Sequence, residues 1–140
     1  MSAATDYLEA QLANQILRAT AFTPPAKTYI ALHTADPTET GAVAEVPTGT
    51  WPSYLRQDAS KGGAQASAWS APSNGVCTNS LQLLYAAYNG AAPLTVTHFS
   101  IWDAVTGGNA LVYAPLSSAR TINPGDVFVV DVGKLTVQVL

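Results

Sequence analysis

Residues 94–116, LTVTHFSIWDAVTGGNALVYAPL, constrain the fold more than any other stretch, because they read as two β-strands joined by a tight turn. Apolar and β-branched residues fill both halves, and Thr106-Gly107-Gly108-Asn109 between them supplies residues that accept positive φ at little steric cost. The first half places Leu94, Val96, His98, Ser100 and Trp102 on one face and Thr95, Thr97, Phe99, Ile101 and Asp103 on the other. Neither set is plainly the wet one. The pattern predicts an inner strand covered on both sides, or a bulge near His98 that swaps the faces.

Ahead of this hairpin, residues 5 to about 19 carry Leu8, Leu12, Ile16 and Ala19 at helical steps. Thr5 or Ser2 can cap that helix, Asp6 and Glu9 suit its positive end, and Pro24-Pro25 ends it. Residues 27–34 (KTYIALHT) predict the first strand. Residues 35–49 have loop composition, with Pro37, Gly41, Pro47 and Gly49 among Asp, Glu and Thr. A second strand is expected after Pro52, a third around Trp69 and a fourth over residues 77–84. Asn123-Pro124-Gly125-Asp126 fits a type II turn. In the closing stretch Leu135, Val137 and Val139 alternate with polar residues, and Gly133 marks a bend.

The 140 residues suffice for one sizeable core and are too few for two ordinary domains. The division is a helical arm over 1–24 and a single β-domain over 25–140. About seven short strands separated by turns predict a mainly β fold, an antiparallel β-sandwich or jelly-roll-like barrel with one N-terminal amphipathic helix.

Charged residues make up 11% of the chain, against a usual share of about 25%. Such a surface predicts cover by a partner, most simply by other copies of the chain. The six basic residues, Arg18, Lys27, Arg56, Lys61, Arg120 and Lys134, form no stripe that would follow phosphates, so no nucleic-acid partner is expected. Neither a cleaved signal nor a run long enough to span a bilayer is visible, and no membrane partner is expected. Cys77 stands alone, which leaves no internal disulfide and no cysteine-based zinc site.

Chemistry is weakly supported. His33 and His98 lie in predicted strands, and Asp36, Asp103 and Glu45 do not stand at a spacing that fixes metal geometry, so no metal or other cofactor is expected. No G-x-S-x-G elbow accompanies the serines and histidines, and Thr106-Gly107-Gly108-Asn109 leads to neither a lysine nor a helix start, so the chain is not expected to be an enzyme. Trp51, Trp69 and Trp102 could stack on sugar rings, which keeps a carbohydrate-binding module as an alternative, although aromatic residues more often fill β-cores or interfaces.

Several segments together resemble a family of small proteins of tailed bacteriophages, variously called minor tail, tail-fibre or capsid-decoration proteins. They are YIALHTADPTETG (residues 29–41), Glu45, Tyr54-Leu55-Arg56, THFSIWDAVTGGNALVYAPL (residues 97–116) and the GD-x-F and GKLTVQVL ending. The resemblance implies a virion component, assembled in the host cytoplasm, that works by non-covalent contact and has no catalytic residues. Its leading form is a capsid decoration (cement) protein bound as a homotrimer to the major capsid protein, with a tail or tail-fibre component as the alternative. Candidate contact residues are Leu8, Leu12 and Ile16 on the helix, Asp36, Glu39 and Glu45 in the following loop, and Trp51 and Trp69.

Overall fold

A computed structural model describes residues 1–138. In chain order the elements are β1 (Ala3–Ala4), α1 (Asp6–Arg18), β2 (Tyr29–His33), β3 (Gln57–Asp58), a 3₁₀ turn (Gln65–Ser67), β4 (Val76–Thr78), β5 (Leu83–Leu84), β6 (Leu94–Trp102), β7 (Ala110–Ile122), β8 (Val129–Val130) and β9 (Thr136–Gln138). A five-stranded antiparallel sheet runs β1-β7-β6-β2-β3, and two ribbons, β4-β9 and β5-β8, complete a mainly β sandwich.

The 94–122 hairpin is the centre of the sheet, and both expectations for its first strand are met. β6 is an inner strand, paired with β2 on one side and β7 on the other. Its ladder with β7 is also bulged: between the Val96–Arg120 and His98–Pro115 pairs, Thr97 alone stands against residues 116–119 of β7. A bulge exchanges the faces of the residues beyond it. Leu94 and Val96 before it therefore join Phe99 and Ile101 after it in one core.

That core lies between the sheet and the ribbons. Ile30 and Leu32 from β2 meet Leu83, Tyr85, Phe128, Val130 and Leu135 from the ribbon side. On the opposite face of the sheet, Trp102, Ala31 and Ala110 form a smaller buried cluster with Tyr29 packed on it. Burial on both faces explains why neither face of β6 reads as wet.

Several boundaries differ from the sequence reading. The turn joining β6 to β7 occupies residues 103–109 and is not a tight four-residue turn. Asp103 closes it early, because its carboxylate accepts the Asn109 backbone N–H at 2.7 Å and the Asn109 amide at 2.9 Å. The expected strand over 77–84 is two strands, β4 and β5, separated by the buried Asn79. The Asn79 amide donates to the Leu81 and Asp131 carbonyls and its oxygen accepts the Leu135 N–H, all at 2.9 Å. These bonds turn the chain and tie it to the C-terminal segment. Around Trp69 there is the 3₁₀ turn and a single bridge to Asn79 in place of a strand. After Pro52 only Gln57 and Asp58 pair. The type II turn at 123–126 is present, with Gly125 at φ 94° and the Asp126 N–H on the Asn123 carbonyl at 2.9 Å. The alternation of Leu135 and Val137 falls around β9, and Val139 lies outside the described residues.

The N-terminal helix is tied to the sheet at its start. Thr5 is its N-cap, with the hydroxyl accepting the Leu8 N–H at 3.4 Å and donating to the Ala110 carbonyl at 2.5 Å. The Thr5 N–H reaches the Leu111 carbonyl at 3.0 Å, just beyond the β1–β7 pairing. The helix ends at Arg18, before the two prolines, because Ala19 adopts the left-handed conformation (φ 53°) and turns its N–H back to the Asn14 carbonyl. Thr5→Ala removes the cap and the buried link to β7, and urea unfolding is expected to show a loss of about 1–2 kcal/mol.

Candidate interaction surface

The long loop after β2 is held against the tip of the β6–β7 hairpin by one continuous polar network. Its centre is Arg56, whose side chain is 8% exposed. The guanidinium donates to both Glu45 carboxylate oxygens, Nε to Oε1 at 2.8 Å and Nη2 to Oε2 at 2.7 Å. Nη1 donates to the Ala104 and Gly107 carbonyls at 3.1 and 2.8 Å, and Cζ lies 3.7 Å from the centroid of the Trp102 ring. Arginine suits this place because its planar fork serves a carboxylate, two carbonyls and an aromatic face at once. Tyr54 extends the network: its hydroxyl donates to Glu45 at 3.2 Å and accepts the Leu32 N–H at 2.9 Å.

A second chain of bonds begins at His33, which is fully buried. The Val43 carbonyl, 2.8 Å from Nδ1, can only accept, so Nδ1 carries the proton of the neutral ring. Nε2 then accepts from the Ser100 hydroxyl at 2.6 Å, and Ser100 Oγ accepts the Trp102 indole N–H at 2.7 Å. Ser100 is also completely buried, so this serine–histidine pair serves to bind loop to sheet. Gly41, further along the loop, has φ 68° and sits where a β-carbon would run into Ala110. The loop is thereby fitted closely against β7.

Burial pushes the His33 imidazole below its ordinary value of 6.5, against the Val43 hydrogen bond and the Glu45 charge, which pull it up. For Glu45 burial pushes the carboxyl up, but the hydrogen bonds and charge of Arg56 outweigh it and the group ends below its ordinary 4.5. In both cases the unfolded chain binds the proton at higher pH than the folded one. Stability is therefore full above about pH 6.5 and falls as the pH drops, with His33 contributing up to about 1.4 kcal/mol per pH unit and Glu45 adding its share in more acid solution. Urea midpoints from about pH 8 down to pH 5 are expected to decline accordingly. Persistence of the whole decline in His33→Gln would assign it to other groups.

Several candidate contact residues lie at the surface. Asp36 and Glu39 are exposed, with Asp36 accepting the Thr38 N–H at 2.8 Å and the Glu39 carbonyl accepting the Asp6 N–H at 3.0 Å. The Tyr113 phenol is raised, by burial first and then by the charges of Asp36, Glu39, Asp6 and Glu9, which marks an acidic rim beside the start of α1. Leu8 packs on the core, Leu12 is half-buried and Ile16 is 76% exposed.

Others belong to the interior. Glu45 is half-buried and committed to Arg56. Trp51 is 0% exposed within its own chain, inside the aromatic core. Trp69 is half-buried with its indole N–H on Thr28 Oγ1 at 3.0 Å. With Trp51 buried and Trp102 covered by Arg56, the sugar-stacking alternative loses two of its three rings.

Beside the Arg56 network lies a groove of about 320 Å³ that includes Glu45, Val46, Leu55, Val105 and Gly107 in its lining. Among the described residues no group of histidine, cysteine and carboxylate side chains could hold a metal ion, and no helix is long and apolar enough to cross a membrane.

Residues 3–138 match the family model described as Podophage GP4 fiber I protein gp80. The chain belongs to this family. Membership supports a bacteriophage virion structural protein, and the family's fibre label agrees with the tail-fibre alternative better than with a capsid decoration protein. Comparison with curated proteins finds no match.

The network joins residues from 29–41, Glu45, Tyr54, Arg56 and the hairpin around Trp102, while the GD-x-F and GKLTVQVL segments lie outside it. The roles of Arg56, Ser100 and Asn79 were missed from sequence. Glu45 and Arg56 were visible as opposite charges in a chain with few, but only the fold brings them together.

Proposed function

We infer that this chain is a tail-fibre component of a bacteriophage virion, acting as a structural element through non-covalent contacts with copies of itself and with other virion proteins. The observation that carries the reading is the family match over residues 3–138. The scaffold suits such work. Its long loop and hairpin tip are locked by Arg56, so they present a fixed outline with little ordering cost on contact. The low charge content lets broad surface be covered without desolvating many ions.

Fractionation of virions followed by mass spectrometry tests the location. Recovery with isolated tails or fibres is the expected result. Recovery with emptied, tail-less heads would replace this reading with capsid decoration.

A further inference from the structure

We propose that the chain assembles head to tail, with a basic groove at the open edge of the sandwich in one copy receiving the acidic rim of the next. This deepens the proposed structural role by naming a contact between copies, and it rests on that role only for its setting in the virion.

The groove, of about 330 Å³, runs along the seam between β7 and the segment that carries β8 and β9. Residues 116–119 of β7 border it, and among the described residues they pair with neither β6 nor β1. A strand edge left without a ladder partner is a surface on which another chain can dock. The floor is apolar, with Leu116, Phe128 and Leu135 reaching it from the core. Arg120 on β7 and Lys134 in the turn before β9 stand at its rim, both exposed. Asp131 also lines the groove, and its carboxylate is already engaged by the Gln82 amide at 2.7 Å.

Charge names the occupant. Of the six basic residues, Lys27 and Arg56 are paired with Asp58 and Glu45. Arg18, Lys61, Arg120 and Lys134 form no ion pair among the described residues, and two of these four flank this one groove. Four of the nine acidic residues gather elsewhere: Asp6, Glu9, Asp36 and Glu39 are all exposed, and their charges act together on the Tyr113 phenol. Like charges so collected repel one another, and the cations of a neighbouring groove relieve that repulsion. The rim is also pre-shaped, since Asp36 accepts the Thr38 N–H at 2.8 Å and the Glu39 carbonyl accepts the Asp6 N–H at 3.0 Å.

Because one chain carries both halves of this complementary pair, a second copy is the occupant. The halves face different ways: Tyr113 stands in the rim and Ala114 lines the groove, and neighbouring residues of a strand point to opposite faces. Each copy therefore meets two different neighbours, one through its rim and one through its groove. Such a contact is heterologous and repeats along a row of copies or closes into a ring.

Sedimentation velocity of the purified full chain at low salt is expected to show species that grow beyond two copies as concentration rises to tens of micromolar. Raising the salt to about 0.5 M is expected to weaken the association at least about tenfold. Arg120→Glu/Lys134→Glu reverses the groove, and Glu9→Lys/Glu39→Lys reverses the rim. These side chains are exposed and outside the ion pairs, so unchanged far-UV spectra are expected. Each double variant alone is expected to associate at least about tenfold more weakly, and an equimolar mixture to regain the association, because a reversed groove then meets a reversed rim. A monomer at tens of micromolar in low salt, a closed dimer, or a mixture that associates no better than its components would overturn the proposal. Recovery of the protein with tails or with heads bears on its location alone, so the two readings fail separately.

Discussion

Arg56→Met is expected to lower the unfolding free energy by about 3–5 kcal/mol, the range for breaking a buried ion pair by removing one partner. Methionine keeps much of the aliphatic stem over Trp102 but removes every donor. The Glu45 carboxylate loses both charge-assisted bonds, keeping only the Tyr54 hydroxyl, and the Ala104 and Gly107 carbonyls lose the guanidinium that ties the hairpin tip to the loop. Leaving a half-buried carboxylate unpaired is the larger part of the cost. It follows that Arg56→Met/Glu45→Gln, which removes the stranded charge, loses less than the sum of the single variants, by about 0.5–3 kcal/mol of coupling. Urea unfolding gives the stabilities. Hydrogen exchange at residues 104–108 reports the tip separately and is expected to speed up in Arg56→Met. Additive single-variant losses with an unchanged tip would mean that the ion pair does not hold these parts together.

That interaction also shows where sequence reading stops. Alternation and glycine placement describe what a residue does relative to its chain neighbours, and at that range the reading held. The hairpin, the bulge at Thr97 with its exchange of faces, the Thr5 cap and the turn at 123–126 were all legible. The same method misjudged the stretches whose shape is set by a distant partner. Asn79 breaks the expected 77–84 strand because its side chain serves Asp131 and Leu135, more than fifty residues away. Asp103 lengthens the central turn through Asn109, a reach of six residues that neither alternation nor a two-glycine signal encodes. Trp51 reads in the sequence as a contact or sugar-stacking residue, and within this chain it is fully buried. Its burial depends on tyrosines from other segments. On the helix, Leu8, Leu12 and Ile16 read as one apolar stripe, yet Leu8 packs on the core, Leu12 is half-buried and Ile16 is 76% exposed, since the buried side of the helix depends on how β1 and Thr5 dock it.

Trp51→Ala should destabilise the fold by about 3–5 kcal/mol, the usual cost of truncating a buried large aromatic residue. The indole touches three tyrosine rings, with centroids 5.6 Å away at Tyr54, 6.0 Å at Tyr85 and 5.4 Å, edge-on, at Tyr88. Tyr85 in turn stacks with Tyr54 and meets Phe128 edge-on at 5.7 Å, so the cavity opens into the middle of the sandwich. What gives the residue unusual weight is the segment that bears it. Residues 47–54 make successive turns, with the Trp51 N–H on the Pro47 carbonyl and the Tyr54 N–H on the Trp51 carbonyl, and no strand pairing holds them. Packing of the indole and the Ser53 hydroxyl, which accepts the Trp51 Nε1–H at 3.1 Å and donates to the Ala87 carbonyl at the same distance, anchor this stretch to the loop before β6. Loss of the ring therefore frees backbone as well as leaving a void. Trp51→Phe, which keeps a ring among the tyrosines, is expected to lose less than half as much. Limited proteolysis distinguishes a local from a uniform effect, and in Trp51→Ala cleavage within residues 47–54 should precede cleavage elsewhere. Equal losses for Ala and Phe, or cleavage first in the β6–β7 hairpin, would show that the aromatic cluster is not what fixes this segment.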